Sequence, residues 1–401
     1  MVGSKLVNFY ENFLVKGSVF SKKEVLQTNY LPESIIHRES EIQQIATTLA
    51  PILRKEKPSN LFIYGNTGTG KTLSARYATS ELLSVAEKQS IGLKIIYLNC
   101  KMKRTADTEY RLIAQLIREL GKEIPPTGLP TEEVYKTFFK ILDTSSNIIL
   151  IILDEIDYLV KKIGDGFLYN LTRMHESTNS KISIVGISND LVFVDMLDAR
   201  VKSSLSEEEI IFSPYNALQL QDILRERANS AFKEGVLEQG VIEKCAAHAA
   251  REHGDARRAL ELLRVAGELA ERSGSKSIAL QHVDEAEGKI DRDRVYDVIS
   301  HQPKQYHIAV FSILSLADKD KPIFTGEIYN FYKNLCDKIR IRPLTQRRIS
   351  DIIAEYDMLG IVNAKIISKG RYGRTREIYI NLADDMRTKI KTLLESELNL
   401  K

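Results

Sequence analysis

The chain has 401 residues, 43% of them hydrophobic, and a formal net charge of +3, enough apolar content for two or three domains with sizeable cores and too much for a disordered protein. Cys100, Cys245 and Cys336 lie far apart with no C-x-x-C spacing, so neither a zinc site nor a disulfide framework is expected, which suits a reducing compartment. Met1 to Val19 lack a signal-peptide core and no run reaches the ~18 apolar residues of a membrane span, so a soluble, intracellular protein with no membrane partner is expected.

Residues 1–30 are mixed and weakly periodic and read as an arm or short helices. Leu31-Pro32 opens a turn into a helix whose apolar face is Ile42, Ile45, Leu49 and Ile52, and Pro58-Ser59-Asn60 stops it. Then Leu61 to Tyr64, an apolar run, leads into Gly65-Asn66-Thr67-Gly68-Thr69-Gly70-Lys71-Thr72. G-x-x-x-x-G-K-T between a buried strand and a helix is the pattern of a phosphate-binding loop. Its glycines let backbone amides curl round an oligophosphate, Lys71 reaches the β- and γ-phosphates, and the Thr72 hydroxyl ligates Mg²⁺. A helix from Thr72 to about Val85 adds its positive end to the same anion site.

Leu93–Asn99 reads as a second buried strand, and Tyr110–Leu120 and Thr131–Leu142 as helices on either side of a Pro-rich loop. Ile148 to Leu153 is continuously apolar and ends in Asp154-Glu155-Ile156-Asp157. Such a run is a strand covered on both faces, with carboxylates at the C-terminal edge where doubly wound sheets bind ligands. Asp154 is then placed to hold Mg²⁺, with Thr72 as the other metal residue, and Glu155 to orient or deprotonate a water attacking the γ-phosphate. Lys181–Asp190 is another buried strand closing in polar residues, which sets Asn189 to hydrogen-bond that phosphate or water. The strand–helix alternation ends at about Tyr215, which joins Gly65 through Thr72 among the nucleotide-binding residues. The fold class expected for residues 1–215 is a parallel α/β sheet.

Residues 216–300 are wholly helical, with Leu218–Phe232, Val241–His253, Asp255–Arg272 and Ala279–Lys289 as the helices of a small lid. Asp255 can cap the helix that carries Arg257 and Arg258, and a lid arginine touching the γ-phosphate would couple nucleotide state to domain angle. Residues 301–401 hold 18 Lys and Arg against 12 Asp and Glu, so the basic excess is C-terminal. Helices His307–Leu316 and Thr325–Leu335, a third opened by Pro343-Leu344-Thr345, and a hairpin of Ile361–Ser368 and Thr375–Ile380 make a winged helix. Thr345, Gln346, Arg347 and Arg348 open the third helix and suit a major groove. Lys369, Arg371, Tyr372, Gly373, Arg374 and Arg376 gather at the hairpin tip and suit a minor groove and its phosphates.

In order and spacing, Gly65–Thr72, Asp154–Asp157, Asn189 and Gly254-Asp255-Ala256-Arg257 resemble the Walker A, Walker B, sensor 1 and sensor 2 elements of an AAA+ ATPase. More closely, the chain resembles the archaeal origin-recognition and Cdc-type replication initiators. The stretches Leu31-Pro32 through Arg38-Glu39, Leu153 to Asp157, Asp198-Ala199-Arg200-Val201-Lys202-Ser203-Ser204-Leu205, Gly254 to Leu260 and Gly370 to Glu377 carry the likeness, which runs from about residue 20 to 385. It implies ATP/ADP and Mg²⁺ as cofactors, Lys71, Thr72, Asp154, Glu155, Asn189 and Arg257 in the roles above, and Arg200 as an arginine finger offered to a neighbouring protomer. Some relatives carry a second arginine four residues later, where this chain has Ser204. The resemblance also implies a helical insertion at about 105–142 that contacts DNA from the ATPase domain, with Lys101, Lys103 and Arg104 just before it. It implies double-stranded origin DNA and a replicative minichromosome-maintenance-type helicase as partners, other initiator protomers on DNA, a nucleoid-associated place in the cytoplasm, and slow ATP turnover at most. Two alternatives share parts of the pattern: a branch-migration type AAA+ winged-helix motor and a nucleotide-responsive transcription regulator.

Overall fold

The structure, a computed structural model, describes residues 18–28, 30–32, 34–101, 108–125, 128–144, 148–173, 180–205, 207–317, 322–368, 374–382 and 384–400. Lys103, Arg104, Lys369, Arg371, Tyr372 and Gly373 lie outside them. The contacts divide the chain into two units, Met1–Val283 and Asp284–Lys401.

In the first unit five strands, β1 (Asn60–Gly65), β2 (Leu93–Asn99), β3 (Ile148–Asp154), β4 (Lys181–Ser188) and β5 (Glu207–Phe212), form a parallel sheet in the order β2-β3-β4-β1-β5. All six residues of β1 and all seven of β3 are buried, which is what a strand covered by helices on both faces requires. The register pairs Asn99 with Asp154, Asp154 with Ile187 and Tyr64 with Ser188. The carboxyl ends of β1, β3 and β4 therefore sit side by side, and Lys71, Thr72, Asp154, Glu155 and Asn189 follow these strand ends along one edge of the sheet.

β4 ends at Ser188, two residues before the expected Asp190, because the Asp190 amide turns back onto Ser188 Oγ at 2.9 Å. The loop helix, α2 (Lys71–Lys88), runs a turn longer than its apolar pattern suggests, and α1 (Glu39–Leu49) packs beside it. The expected insertion helices are α3 (Glu109–Glu119) and α4 (Thr131–Thr144). Leu112, Ile113, Leu116, Ile117, Val134 and Phe138 are buried in one cluster with Phe62 of β1 and Ile151 of β3, so this hairpin of helices is part of the core. After it come α5 (Ile156–Ile163), α6 (Gly166–Arg173) and α7 (Ala199–Leu205).

The helical segment contains α8 (Ala217–Ala231), α9 (Val241–Arg251), α10 (Ala256–Ser273) and α11 (Leu280–Ser300). Asn216 and Gln219 form a capping box at the start of α8, and Asp255 accepts from the amides of Arg257 and Arg258 at the start of α10. The end of the N-terminal arm lies on these helices. Phe20 stacks on Phe232 at 4.9 Å between ring centres, the Ser21 amide donates to Ala231 O at 2.8 Å, and Val25 and Leu26 are buried.

In the second unit α12 (Lys304–Leu316), α13 (Thr325–Lys338) and α14 (Gln346–Met358) pack against a hairpin of β7 (Val362–Ser368) and β8 (Arg374–Ile380), and a short β6 (Ile323–Phe324) adds a third strand beside β8. Tyr332, Ile349, Ile352, Ile353, Tyr356 and Ile378 are fully buried in its core, and Tyr329 and Phe331 pack at its edge. Thr345 Oγ1 accepts the Arg348 amide as the cap of α14, and Gly360, at φ 72°, follows its end. The sequence pattern gives no element beyond Ile380 in this domain, but α15 (Asp384–Glu397) closes it with Met386, Ile390 and Leu394 buried at four-residue spacing.

Candidate functional site

The loop after β1 has the left-handed backbone turns that a phosphate cradle needs. Gly68 and Gly70 have φ of 74° and 92°, a region costly to any residue with a Cβ. A Cβ on Gly68 would lie 1.7 Å from Asp255 Oδ1, and one on Gly70 2.8 Å from the Tyr215 hydroxyl. The lid and the end of the α/β segment thus press on the loop at its two glycines. Lys71 is only 5% exposed. Its Nζ donates to Gly65 O and Asn66 O, each at 2.7 Å, and to Asn189 Oδ1 at 2.9 Å. Burial and the nearby Arg257 lower its pKa to about 8, against the opposing pull of Asp154, Asp157 and Asp255.

Asp154 is 6% exposed at the end of β3. Its Oδ2 accepts from Thr72 Oγ1 at 3.0 Å and from the Tyr97 hydroxyl at 2.6 Å, and its Oδ1 accepts the Glu155 amide at 3.0 Å. Burial, then the hydrogen bond to Asp154, push Tyr97 up to about 12. Glu155 sits in the left-handed region at φ 56°, which ends the strand abruptly and turns its carboxylate out of the sheet. That carboxylate pairs with Lys101 Nζ at 3.3 Å. Lys101, expected at a DNA surface, therefore lies beside the carboxylate expected to act on water. A hydroxyl and a carboxylate oxygen converging on one point next to a buried ammonium are the hard oxygen donors and the counter-charge that Mg²⁺ and an oligophosphate require.

Above the loop, a cavity of about 220 Å³ is lined by Gly68, Gly70, Thr72 and Arg76 on one side, by Leu31, Pro32, Ile35 and Ile36 on another, and by Ile223, Arg227, Arg257 and Leu260 of the lid. Tyr215 completes its wall. Sequence reasoning missed Arg38, which is 4% exposed. Its guanidinium lies 4.0 Å over the Tyr215 ring, donates from Nε to Thr69 O at 2.9 Å and from Nη2 to Ser213 O, and pairs with Glu41 at 2.7 Å. It also missed Tyr97, whose only signal is a phenol two residues before the end of a strand bordering β3.

Lys71, Thr72, Asp154, Glu155, Asn189, Tyr215 and Arg257 are thus brought together. Arg200 is not among them: its side chain is 84% exposed, it pairs with Asp198 at 3.2 Å, and its neighbours are Asp165, Tyr169 and Asn170. Ser204 is turned inward, 3.0 Å from Thr172 Oγ1.

At the winged helix, Thr345, Gln346 and Arg347 are exposed at the start of α14. Arg348 is partly engaged within the domain, donating to the Tyr306 hydroxyl at 3.0 Å and lying 3.8 Å from Glu355. Arg376 donates to Ser350 O at 2.7 Å, which ties β8 to α14.

Family models match this chain in three segments: an AAA domain over residues 54–192, a Cdc6 AAA+ ATPase-type lid domain over 221–288 and a CDC6 C-terminal winged helix domain over 297–389. The ORC1-type DNA replication protein of Thermococcus kodakarensis is 49% identical over 387 residues, spanning 95% of this chain and 92% of that protein. The chain belongs to the ORC1-type DNA replication proteins. The ORC1-type protein 1 of Sulfurisphaera tokodaii is 47% identical over 98% of each chain. The Aeropyrum pernix ORC1 protein, solved in complex with DNA, is 44% identical with a TM-score of 0.83 over 96% of this chain and 98% of that one. The matched segments of this ORC1-type chain take in β1 to β4 of the sheet, most of the helical lid and most of the winged helix. Among its described residues no helix is long and apolar enough to cross a membrane.

Proposed function

We propose that this ORC1-type protein binds double-stranded origin DNA under the control of a bound adenine nucleotide, and that it recruits or loads the replicative minichromosome-maintenance-type helicase. One observation carries the nucleotide half of this reading. Lys71 Nζ is held among the loop carbonyls, the Thr72 hydroxyl meets the Asp154 carboxylate at 3.0 Å, and Thr72 lines a cavity that the lid residues Ala256 and Arg257 also line. The DNA half is supported by the exposed start of α14 and by a relative of the same family solved on DNA.

Phosphate oxygens entering the loop replace the carbonyls that now occupy Lys71 Nζ, and the amides of Gly68 to Thr72 turn toward them. Thr72 Oγ1 and Asp154, directly or through water, are the residues that would hold Mg²⁺, which supplies charge neutralisation on the β- and γ-phosphates. Glu155, once released from Lys101, accepts the proton of the attacking water at its carboxylate, and Asn189 orients that water. Arg257, on the lid, reads the outer phosphate. Arg200, held out in solvent, is offered to a neighbouring protomer, although Ser204 leaves that second contact without a cation. Turnover by such a site in one protomer is slow, and the nucleotide serves as a switch.

The test is a pair of equilibrium binding measurements on single substitutions. Lys71→Ala is expected to abolish tight nucleotide binding and, with it, the response of duplex binding to nucleotide. Arg371→Ala, in the hairpin tip outside the described residues, is expected to weaken duplex binding and leave nucleotide binding unchanged. If both variants keep both affinities, the division of roles is wrong.

A further inference from the structure

Nothing in the roles above uses Tyr97, yet its hydroxyl makes the shortest contact to Asp154, 2.6 Å from Oδ2. We infer that Tyr97 is a positioning residue for the metal site, one that fixes the Asp154 carboxylate in the rotation needed to hold Mg²⁺. The inference rests on the nucleotide reading and deepens it.

A carboxylate offers about four lone-pair positions. Three are taken here: the Glu155 amide on Oδ1, and the Thr72 and Tyr97 hydroxyls on Oδ2. The fourth is left for a cation or its water. Donors on both oxygens prevent the group from turning about its Cβ–Cγ bond, so the open position keeps a fixed direction. Thr72 cannot supply this restraint alone, since its oxygen is itself expected to ligate the metal. Tyr97 can, because its hydroxyl reaches the carboxylate from β2, a strand separate from the phosphate loop.

Tyr97 is in turn held from α2. The Arg76 guanidinium lies 3.9 Å over its ring, and Arg76 is one helical turn beyond Thr72 and lines the nucleotide cavity. The restraint therefore runs from the loop helix through Arg76 and Tyr97 to Asp154, and it couples the two expected metal residues through two different strands of the fold. Partners of this kind, one shell out from a metal, typically contribute 10–100-fold to metal affinity.

Tyr97→Phe removes a single oxygen and keeps the ring under Arg76. The measurement is binding of a fluorescent ADP analogue to the full chain, first in EDTA and then across a Mg²⁺ titration. The expected result is an affinity in EDTA within about twofold of the unsubstituted protein, with the Mg²⁺ concentration for half of the metal effect raised about tenfold or more. Equal Mg²⁺ half-saturation in the two proteins overturns the inference while leaving the nucleotide reading intact. A loss of affinity in EDTA as large as that in Mg²⁺, with a lowered melting temperature, also overturns it, since the phenol then only supports the fold. If the unsubstituted protein binds the analogue with no response to Mg²⁺, the metal assignment of Thr72 and Asp154 fails, and this inference with it.

Discussion

Burial loosens a lysine's hold on its proton, and Lys71 is drawn down to about 8 by burial and by Arg257. An arriving phosphate favours the charged ammonium and raises that pKa again. Below about pH 7 the side chain is charged both before and after binding, so Lys71 contributes no pH dependence there. As pH rises through about 8 the free protein loses the proton and the complex keeps it, so affinity falls and binding takes a proton up. Calorimetry in EDTA at about pH 8.5, in buffers of different ionisation enthalpy, should show this fractional uptake, and Lys71→Arg should remove it. Binding with no proton exchange at that pH would contradict the assignment of Lys71. At this scale the sequence was legible where a motif fixes spacing, as from Gly65 to Thr72, and silent where a contact forms only in three dimensions. Arg38 lies 31 residues from the Thr69 carbonyl it supports, and Tyr97 lies 57 residues from Asp154. No periodicity links such pairs.

Two elements meet at Gly68. The start of α10 is packed so closely on the loop that the Ala256 amide donates to Gly68 O at 3.2 Å. Gly68→Ala would drive a methyl group into Asp255, the cap of α10, at a backbone φ that disfavours any side chain. Nucleotide affinity is expected to fall by about tenfold or more, the loss to be anticipated from about 1–2 kcal/mol of strain and a disturbed cap. Unchanged affinity would mean that the loop and lid do not act together on the ligand. A second contrast lies within α14. Arg347 is exposed, with no hydrogen bond or ion pair among the described residues, whereas Arg348 is shared with Tyr306 and Glu355. Arg347→Ala should lower the salt dependence of duplex binding by a slope of about one, and Arg348→Ala by less, read from binding isotherms at several salt concentrations. Most element boundaries fell within a few residues of the apolar patterns, but α11 runs to Ser300 where the pattern ended at Lys289, and the Met386, Ile390 and Leu394 stripe of α15 carried no motif to draw attention to it.

On the scale of the molecule, three segments with different periodicities give a parallel sheet, a helical bundle and a winged helix, and each was legible because its hydrophobic spacing changes at the segment's edge. The arm was the least legible part, since Phe20 finds its partner Phe232 more than two hundred residues away. In the proposed function, the basic C-terminal domain grips a duplex and the nucleotide held elsewhere in the chain changes that grip. The measurement that bears most directly on this is a genome-wide occupancy map of the protein in its own cells, taken alongside a map of replication start sites. The account predicts peaks confined to one or a few places that coincide with those starts. Peaks spread over many promoters, with none at a replication start, would contradict it.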